Sequence, residues 1–300
     1  MENFSSEEIR KTVRQNYGAI AARNKQEDSC CGGPAPADVD ACCVEDAEAK
    51  VSGKGGCGCG SEASSKSACC GSTVNYTAED ISRSLGYSDN ELGAVPEGAN
   101  LGLGCGNPIA IASLKKGEIV LDLGSGAGFD AFLAARAVSE QGLVIGVDMT
   151  PEMVAKAREN AAKIEASNVD FRLGEIEYLP VGSDIIDVII SNCVINLAPE
   201  KLKVFKEAYR VLKSGGRLSI ADIVVTAELP EDVKNDLFYY SGCIAGASSL
   251  ADIEAFLVES GFENISIKPK DESKEVIREW FPDRKLEEYV VSVMIEATKP

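Results

Sequence analysis

Residues 118–130 read Glu118-Ile-Val-Leu-Asp122-Leu-Gly124-Ser-Gly126-Ala-Gly128-Phe-Asp130. The apolar run Ile119–Leu121 is long enough for one buried strand and too short for a helix. Three alternating glycines then allow a turn in which backbone comes close to a ligand. From Phe129 to Ser139 an Ala-rich run follows, with the length and composition of a helix. Strand, glycine loop and helix in immediate succession open a βαβ unit, and that unit decides the fold class.

The same alternation continues outward. Leu143–Asp148 reads as a second strand, Glu152–Glu165 as a helix and Asp170–Leu173 as a third strand. Ile185–Ser191 is almost continuously apolar, as a strand buried on both faces must be. Lys201–Leu212 reads as a helix ended by Ser214-Gly215-Gly216, and Arg217–Asp222 as a fifth strand. The expected fold class is α/β: a mainly parallel, doubly wound, Rossmann-like sheet. A helix at Leu250–Ser260 and strands at Asn264–Lys268 and Tyr289–Ala297 make a small C-terminal α/β extension. At the other end Ser5 and Glu8 fit a capping box, and Ile9, Val13, Tyr17 and Ile20 recur at helical spacing, so residues 5–24 read as a helix. The expected organisation is an N-terminal helix (1–28), a linker (29–75), a cofactor-binding core (76–225) and a C-terminal substrate cap that completes the sheet (226–300).

The linker stands apart in composition. It is Gly, Ala, Ser, Pro and Cys with almost no large apolar side chain, and cannot offset its ordering entropy by burial. It carries Cys30-Cys31, Cys42-Cys43, Cys57, Cys59 and Cys69-Cys70. These spacings differ from the Cys-x-x-Cys of tetrahedral zinc sites. Two readings stand: a low-complexity linker with no fixed site, or a thiol-rich segment that captures soft metals or metalloids.

Charge and composition exclude several functions. The net charge of −18 argues against nucleic acid and against an anionic membrane surface. No apolar run reaches the length of a membrane span, and the acidic start does not read as a signal peptide. The expected location is the cytoplasm, where the 11 cysteines should be mostly reduced. The chain contains no histidine. Serine–histidine and cysteine–histidine catalysis and mixed Cys/His zinc sites are thereby ruled out, leaving sulfur and carboxylate as binding groups.

In the loop itself, an acidic residue, Asp122, precedes the glycines, and a second, Asp148, ends the next strand at a distance suited to ribose hydroxyls. The spacing Gly-x-Gly-x-Gly differs from that of a dinucleotide loop and suits an amino acid joined to a nucleoside, with Asp122 toward an ammonium group. Asp122–Asp130, with Gly124, Ser125, Gly126 and Gly128, resembles motif I of class I S-adenosylmethionine (SAM) methyltransferases, and Gly146-Val-Asp148-Met149 resembles their motif II. The resemblance implies SAM as cofactor. It also implies adenine contacts at Gly174-Glu175-Ile176, and Ser191-Asn192 lining the methyl-transfer cleft.

Three cysteines lie in patterned stretches of this core and its cap. They are Gly104-Cys105-Gly106-Asn107-Pro108, Asn192-Cys193-Val-Ile-Asn196-Leu197 and Cys243-Ile-Ala-Gly-Ala247. A single such cysteine is most often a small apolar filler. Cys193, however, falls at the carboxyl end of the fourth strand, where open α/β sheets bind ligands. The combination resembles arsenite methyltransferases. The resemblance implies that Cys105, Cys193 and Cys243 bind trivalent arsenic as substrate, arsenite or methylarsenite. It further implies that an upstream cysteine, here Cys70 or Cys69, joins a redox cycle, and that thioredoxin or a small thiol is the reductant. The C-terminal part is shorter than in many members, and the cysteine-rich segment is not a general family feature. A soft, thiophilic arsenic(III) bearing a lone pair suits thiolate ligands and needs no base, and a cationic sulfonium nearby should lower the thiol pKa values. Two other functions are carried forward: a SAM methyltransferase of a small organic acceptor, and a thiol-rich metalloid-sequestering protein.

Overall fold

A computed structural model of the chain describes residues 4–22, 77–270, 273–280 and 284–300. The linker cysteines, Cys69 and Cys70 among them, lie outside the described residues. The central sheet starts with β1 (Ile119–Leu123), β2 (Leu143–Asp148), β3 (Val169–Leu173) and β4 (Ile186–Asn192). It continues with β5 (Leu212–Val225), a short β6 (Ser248–Ser249), β7 (Glu263–Lys270) and β8 (Val290–Thr298). The order is β3-β2-β1-β4-β5-β8-β7, with β6 on β5. β1 to β6 pair in parallel, and β8 enters antiparallel between β5 and β7. The doubly wound, mainly parallel sheet with a C-terminal α/β extension is therefore as the sequence predicts.

Strand alternation sorts the core into two layers. Val120, Val144, Val188 and Ile190 face one way and pack with Phe132, Val138, Val154 and Ala157 of α5 (Phe129–Val138) and α6 (Pro151–Lys163). Leu121, Leu123, Ile145, Val147 and Ile189 face the other way and meet Phe205, Ala208 and Val211 of α7 (Lys201–Val211) and Leu257 of α10 (Leu250–Ser260). Sheet residues buried on both faces explain the unbroken apolar runs. At the N-terminus α1 (Ser6–Ala22) forms, and the Ser5–Glu8 capping box closes in both directions, Ser5 N to Glu8 Oε2 at 2.8 Å and Glu8 N to Ser5 Oγ at 3.3 Å.

Several elements depart from the sequence expectations. β5 starts at Leu212 and runs through Ser214-Gly215-Gly216, the segment expected to end a helix and turn. A register shift against β4 absorbs the extra residues, Ile186 pairing with Leu212 but Val188 with Arg217. Short helices not anticipated from sequence are α2 (Ala78–Ser84), α3 (Asp89–Leu92), α4 (Ile109–Ala112), α8 (Glu231–Lys234), α9 (Leu237–Ser241) and α11 (Ser273–Trp280). No described helix is long and apolar enough to cross a membrane.

Strand order reverses between β1 and β4. At such a switch point the connections leave in opposite directions, and a crevice opens beyond the carboxyl ends. The glycine loop after β1 and Asn192-Cys193 after β4 flank that crevice.

Candidate active site

The glycine loop is built by close packing. Gly124 has φ +68°, and a Cβ there would collide with the Val194 side chain. The loop is closed from the next strand: Asp148 accepts the Gly126 amide at 3.0 Å through Oδ2 and the Thr150 amide at 2.8 Å through Oδ1. Burial pushes the Asp148 carboxyl up from its ordinary range. Asp122 is almost fully buried and its Oδ2 has no hydrogen-bond partner, nor does the buried Ser125 Oγ. Burial, and then the charges of Asp130 and Asp148, raise the Asp122 carboxyl well above normal. An orphaned carboxylate oxygen and an orphaned hydroxyl beside a tight backbone loop fit a ligand with an ammonium group and further polar atoms, as SAM has.

The thiols arrive from three directions. Cys105 is buried; its amide donates to Asn192 Oδ1 at 2.9 Å, and its carbonyl accepts Ser292 Oγ of β8 at 2.7 Å. Gly104, with φ +130°, allows this approach, because a Cβ there would lie 2.8 Å from Asn192 Nδ2. Half-buried Cys193 leaves the end of β4 in a left-handed conformation, φ +59°, its amide still paired with Ala221 O at 2.8 Å. Cys243 follows α9, also left-handed at φ +62°, and its Sγ contacts Cys193 O at 2.9 Å. A non-glycine residue held left-handed costs on the order of 1–3 kcal/mol, so two of them in one cluster mark a site that the fold over-determines. The sulfurs of Cys105 and Cys193 and a carboxylate oxygen of Asp222 all lie within 4.8 Å of one another.

Without a cationic sulfonium beside them, the three thiols are shifted upward by the protein's own field. Burial raises the Cys105 thiol. The hydrogen bond shared with Cys105, and burial, raise Cys193 well above normal. The hydrogen bond with Cys193, followed by burial, does the same for Cys243. The three thiols are therefore protonated at ordinary pH, which avoids three buried negative charges side by side.

Of the residues singled out in the sequence, Gly126 meets Asp148, Gly124 lies against Val194 next to Cys193, Cys105 meets Asn192, and Cys243 meets Cys193. Met149 packs on the thiol side, against the cluster that holds Cys105 and Cys243. Glu175 is ion-paired with Arg10 of α1 at 3.3 Å. Ile176 is buried in the main core layer with Leu179 and Ile195. Asn192 is a hub within the protein: its Oδ1 accepts the Cys105 amide, and the two hydrogens of its Nδ2 are shared among Gly106 O at 2.9 Å, Tyr87 Oη at 3.0 Å and Asp130 Oδ2 at 3.1 Å.

Three residues were missed. Asp222 lies in the buried run Leu218–Val224 of β5 and accepts from Ile195 N at 3.0 Å, Ile223 N at 2.8 Å and Asn196 Nδ2 at 2.8 Å. Burial raises it to about 7. Asn196 also donates to Ile223 O and lies at 3.5 Å from Cys243 O, tying the Cys193 segment to the Cys243 segment. Asp130, which accepts from Tyr87 Oη at 2.6 Å, is raised by burial to about 6. The only sequence signals were an acidic residue at a strand's carboxyl end, an asparagine three residues after a cysteine, and an acidic residue just after the glycine loop.

The family model described as a methyltransferase domain matches residues 114–281. An arsenite methyltransferase of Halobacterium salinarum is 51% identical over 294 residues, 98% of this chain and 67% of that protein. The human arsenite methyltransferase is 37% identical over 168 residues, 53% of this chain and 44% of its own length. The chain thus spans two thirds of the first relative and under half of the second. Among solved structures, an arsenic(III) S-adenosylmethionine methyltransferase from Chlamydomonas reinhardtii is 32% identical with a TM-score of 0.56, covering 73% of each chain. A phosphoethanolamine N-methyltransferase of Haemonchus contortus, solved with SAM, shares the fold at 22% identity and TM-score 0.54, covering 76% of this chain and 58% of its own. A glycine loop at the switch point and three clustered thiols thus coincide with a relative matched along 98% of the chain, and the chain belongs to the arsenite methyltransferases of the class I SAM-dependent methyltransferase fold.

Proposed function

We propose that this enzyme methylates trivalent arsenic held by Cys105, Cys193 and Cys243, and so detoxifies arsenite. The observation that carries the reading is the convergence of three thiols from chain segments 50 to 88 residues apart, Cys105 fastened to Asn192 and Cys243 to Cys193, beside the cofactor loop. An organic acceptor would not require this cluster, and a sequestering protein would not require the loop.

The chemistry follows from the residues. Arsenite is neutral As(OH)3 at ordinary pH. Each thiol displaces one hydroxide, and the thiol proton leaves with it as water, so the raised thiol pKa values do not oppose uptake. Three As–S bonds form and three As–O bonds break, with no change of charge at a largely buried site. Bound SAM supplies an electrophilic methyl group. Asp122, Ser125 and the loop of Gly124, Gly126 and Gly128 would hold the amino-acid end and Asp148 the ribose side, Glu175 and Ile176 would border the adenine, and Met149 would lie between the cofactor and the thiols. Asn192 ties Cys105 into register with this loop. Holding donor and acceptor in line is worth about 7–11 kcal/mol. Transfer formally oxidises arsenic to the pentavalent state. Two electrons from thiols restore it, supplied by thioredoxin or a small thiol and passing through an upstream cysteine such as Cys70. The net charge of −18 disfavours nucleic-acid and anionic-membrane partners, and we place the enzyme in the cytoplasm.

Incubation with arsenite, a thiol reductant and SAM labelled in the methyl group tests the reading. Labelled methylarsenicals are expected. Label in an organic acceptor alone, or arsenite retained by protein that binds no SAM, would overturn it.

A further inference from the structure

The helix α1 sits where sequence gave it no task. It lies on the carboxyl side of the sheet and is clasped at both ends. Near its start Arg10 pairs with buried Glu177 at 2.9 Å, Glu175 at 3.3 Å and Glu200 at 3.7 Å, on the connections after β3 and β4. Near its end Lys156 Nζ of α6 donates to Ala21 O at 3.0 Å, and Gly18 abuts Glu152. Between these clasps Asn16 Nδ2 donates to Ser241 Oγ at 2.7 Å and Tyr17 Oη to Ser241 O at 3.2 Å, two residues before Cys243.

Tyr17 bridges two apolar clusters. On one side it packs against Ala127 of the cofactor loop and its neighbours Ala21 and Met153. On the other it packs against the cluster that contains Cys105 and Cys243, where Cys193 also packs. Its phenol is also close enough to Cys243, Cys193 and Asp148 for charge on any of them to add to the effect of burial on its pKa. The ring therefore spans the interval between the donor loop and the acceptor thiols, which the transferred methyl group has to cross.

We infer that Tyr17 is a positioning residue of the methyl transfer, its aromatic ring walling the donor–acceptor gap and favouring the positively charged form of the cofactor there. This rests on the reading of the three thiols as the acceptor site. An aromatic face attracts a desolvated cation, whereas S-adenosylhomocysteine, the product, is neutral at sulfur. The ring thus favours the reactant over the product and keeps water out of the gap, while the hydroxyl only anchors it to Ser241.

Calorimetry with SAM and with S-adenosylhomocysteine tests this on Tyr17→Leu and Tyr17→Phe, with arsenite uptake by the unaltered protein measured in parallel. Tyr17→Leu keeps apolar bulk and removes the aromatic face. It should weaken SAM binding about tenfold and S-adenosylhomocysteine binding less than twofold. Tyr17→Phe should leave both within twofold. Equal losses for the two ligands in Tyr17→Leu would show mere packing and overturn the inference, as would no loss for either. If the two affinities split but the unaltered protein takes up no arsenite, the acceptor reading falls and only the preference of Tyr17 for the charged cofactor stands.

Discussion

Replacing Asn192 by alanine should loosen one thiol and spare the other two. The Asn192 side chain makes four contacts of 2.9–3.1 Å, to Cys105 N, Gly106 O, Tyr87 Oη and Asp130 Oδ2. Two of these matter most to stability. The Cys105 amide would lose its acceptor, and Asp130 would keep only Tyr87, at 2.6 Å. An unsatisfied buried group costs about 1–3 kcal/mol, so Asn192→Ala should destabilise the fold by roughly 2–5 kcal/mol. Cys193 is anchored by Ala221 O and Cys243 by the Cys193 carbonyl, both independent of Asn192. The variant should therefore lose arsenite methylation far more than methylation of monomethylarsenite, which two thiols can hold. Denaturant unfolding gives the first quantity, and arsenic speciation of the products gives the second. Unchanged stability, or equal loss with both acceptors, would refute the hub role of Asn192.

Asp148→Ala should weaken SAM binding while leaving arsenite uptake intact, because it removes the group that fixes the Gly126 and Thr150 amides beside the ribose side; calorimetry decides, with an expected loss of about 1.5–3 kcal/mol. Asp222 gives the fold a pH dependence. Its folded pKa of about 7 lies above the ordinary 3.8, so the folded form holds a proton that the unfolded chain has lost. Its contribution to stability is present below pH ~4 and disappears as pH rises to ~7, by at most about 4 kcal/mol. Asp222→Asn should flatten that slope in unfolding curves taken across the window, and identical slopes would contradict the assignment. Deleting residues 30–60 should leave a folded enzyme with most of its activity, since the segment lacks apolar residues for a core; a collapse in melting temperature would show otherwise.

The glycine loop and β1 to β4 were legible because each carries a local signal: an apolar run, a turn composition, or helical periodicity. The start of β5 was not, since Ser214-Gly215-Gly216 has turn composition and is kept in the strand by a register shift against β4 and by the C-terminal Lys299, whose carbonyl accepts the Gly215 amide at 2.8 Å. Cys105, Cys193 and Cys243 could be singled out by their flanking residues. What joins them could not. Asn192 reaches Cys105 across 87 positions and Tyr17 reaches Ser241 across 224, distances at which no local pattern constrains the pairing. The thiol pKa values likewise depend on burial beside other thiols and Asp222, which the topology sets.

On the proposed chemistry, three thiols bind inorganic arsenite and two suffice once one valence carries carbon. Cys105→Ser, assayed with arsenite and with monomethylarsenite under SAM and excess reductant, tests it most directly. Methylation of arsenite should stop, monomethylarsenite should still be converted at an appreciable rate, and SAM affinity should be unchanged. Equal loss with both acceptors would place Cys105 in redox turnover or in the fold, and would contradict the three-thiol site.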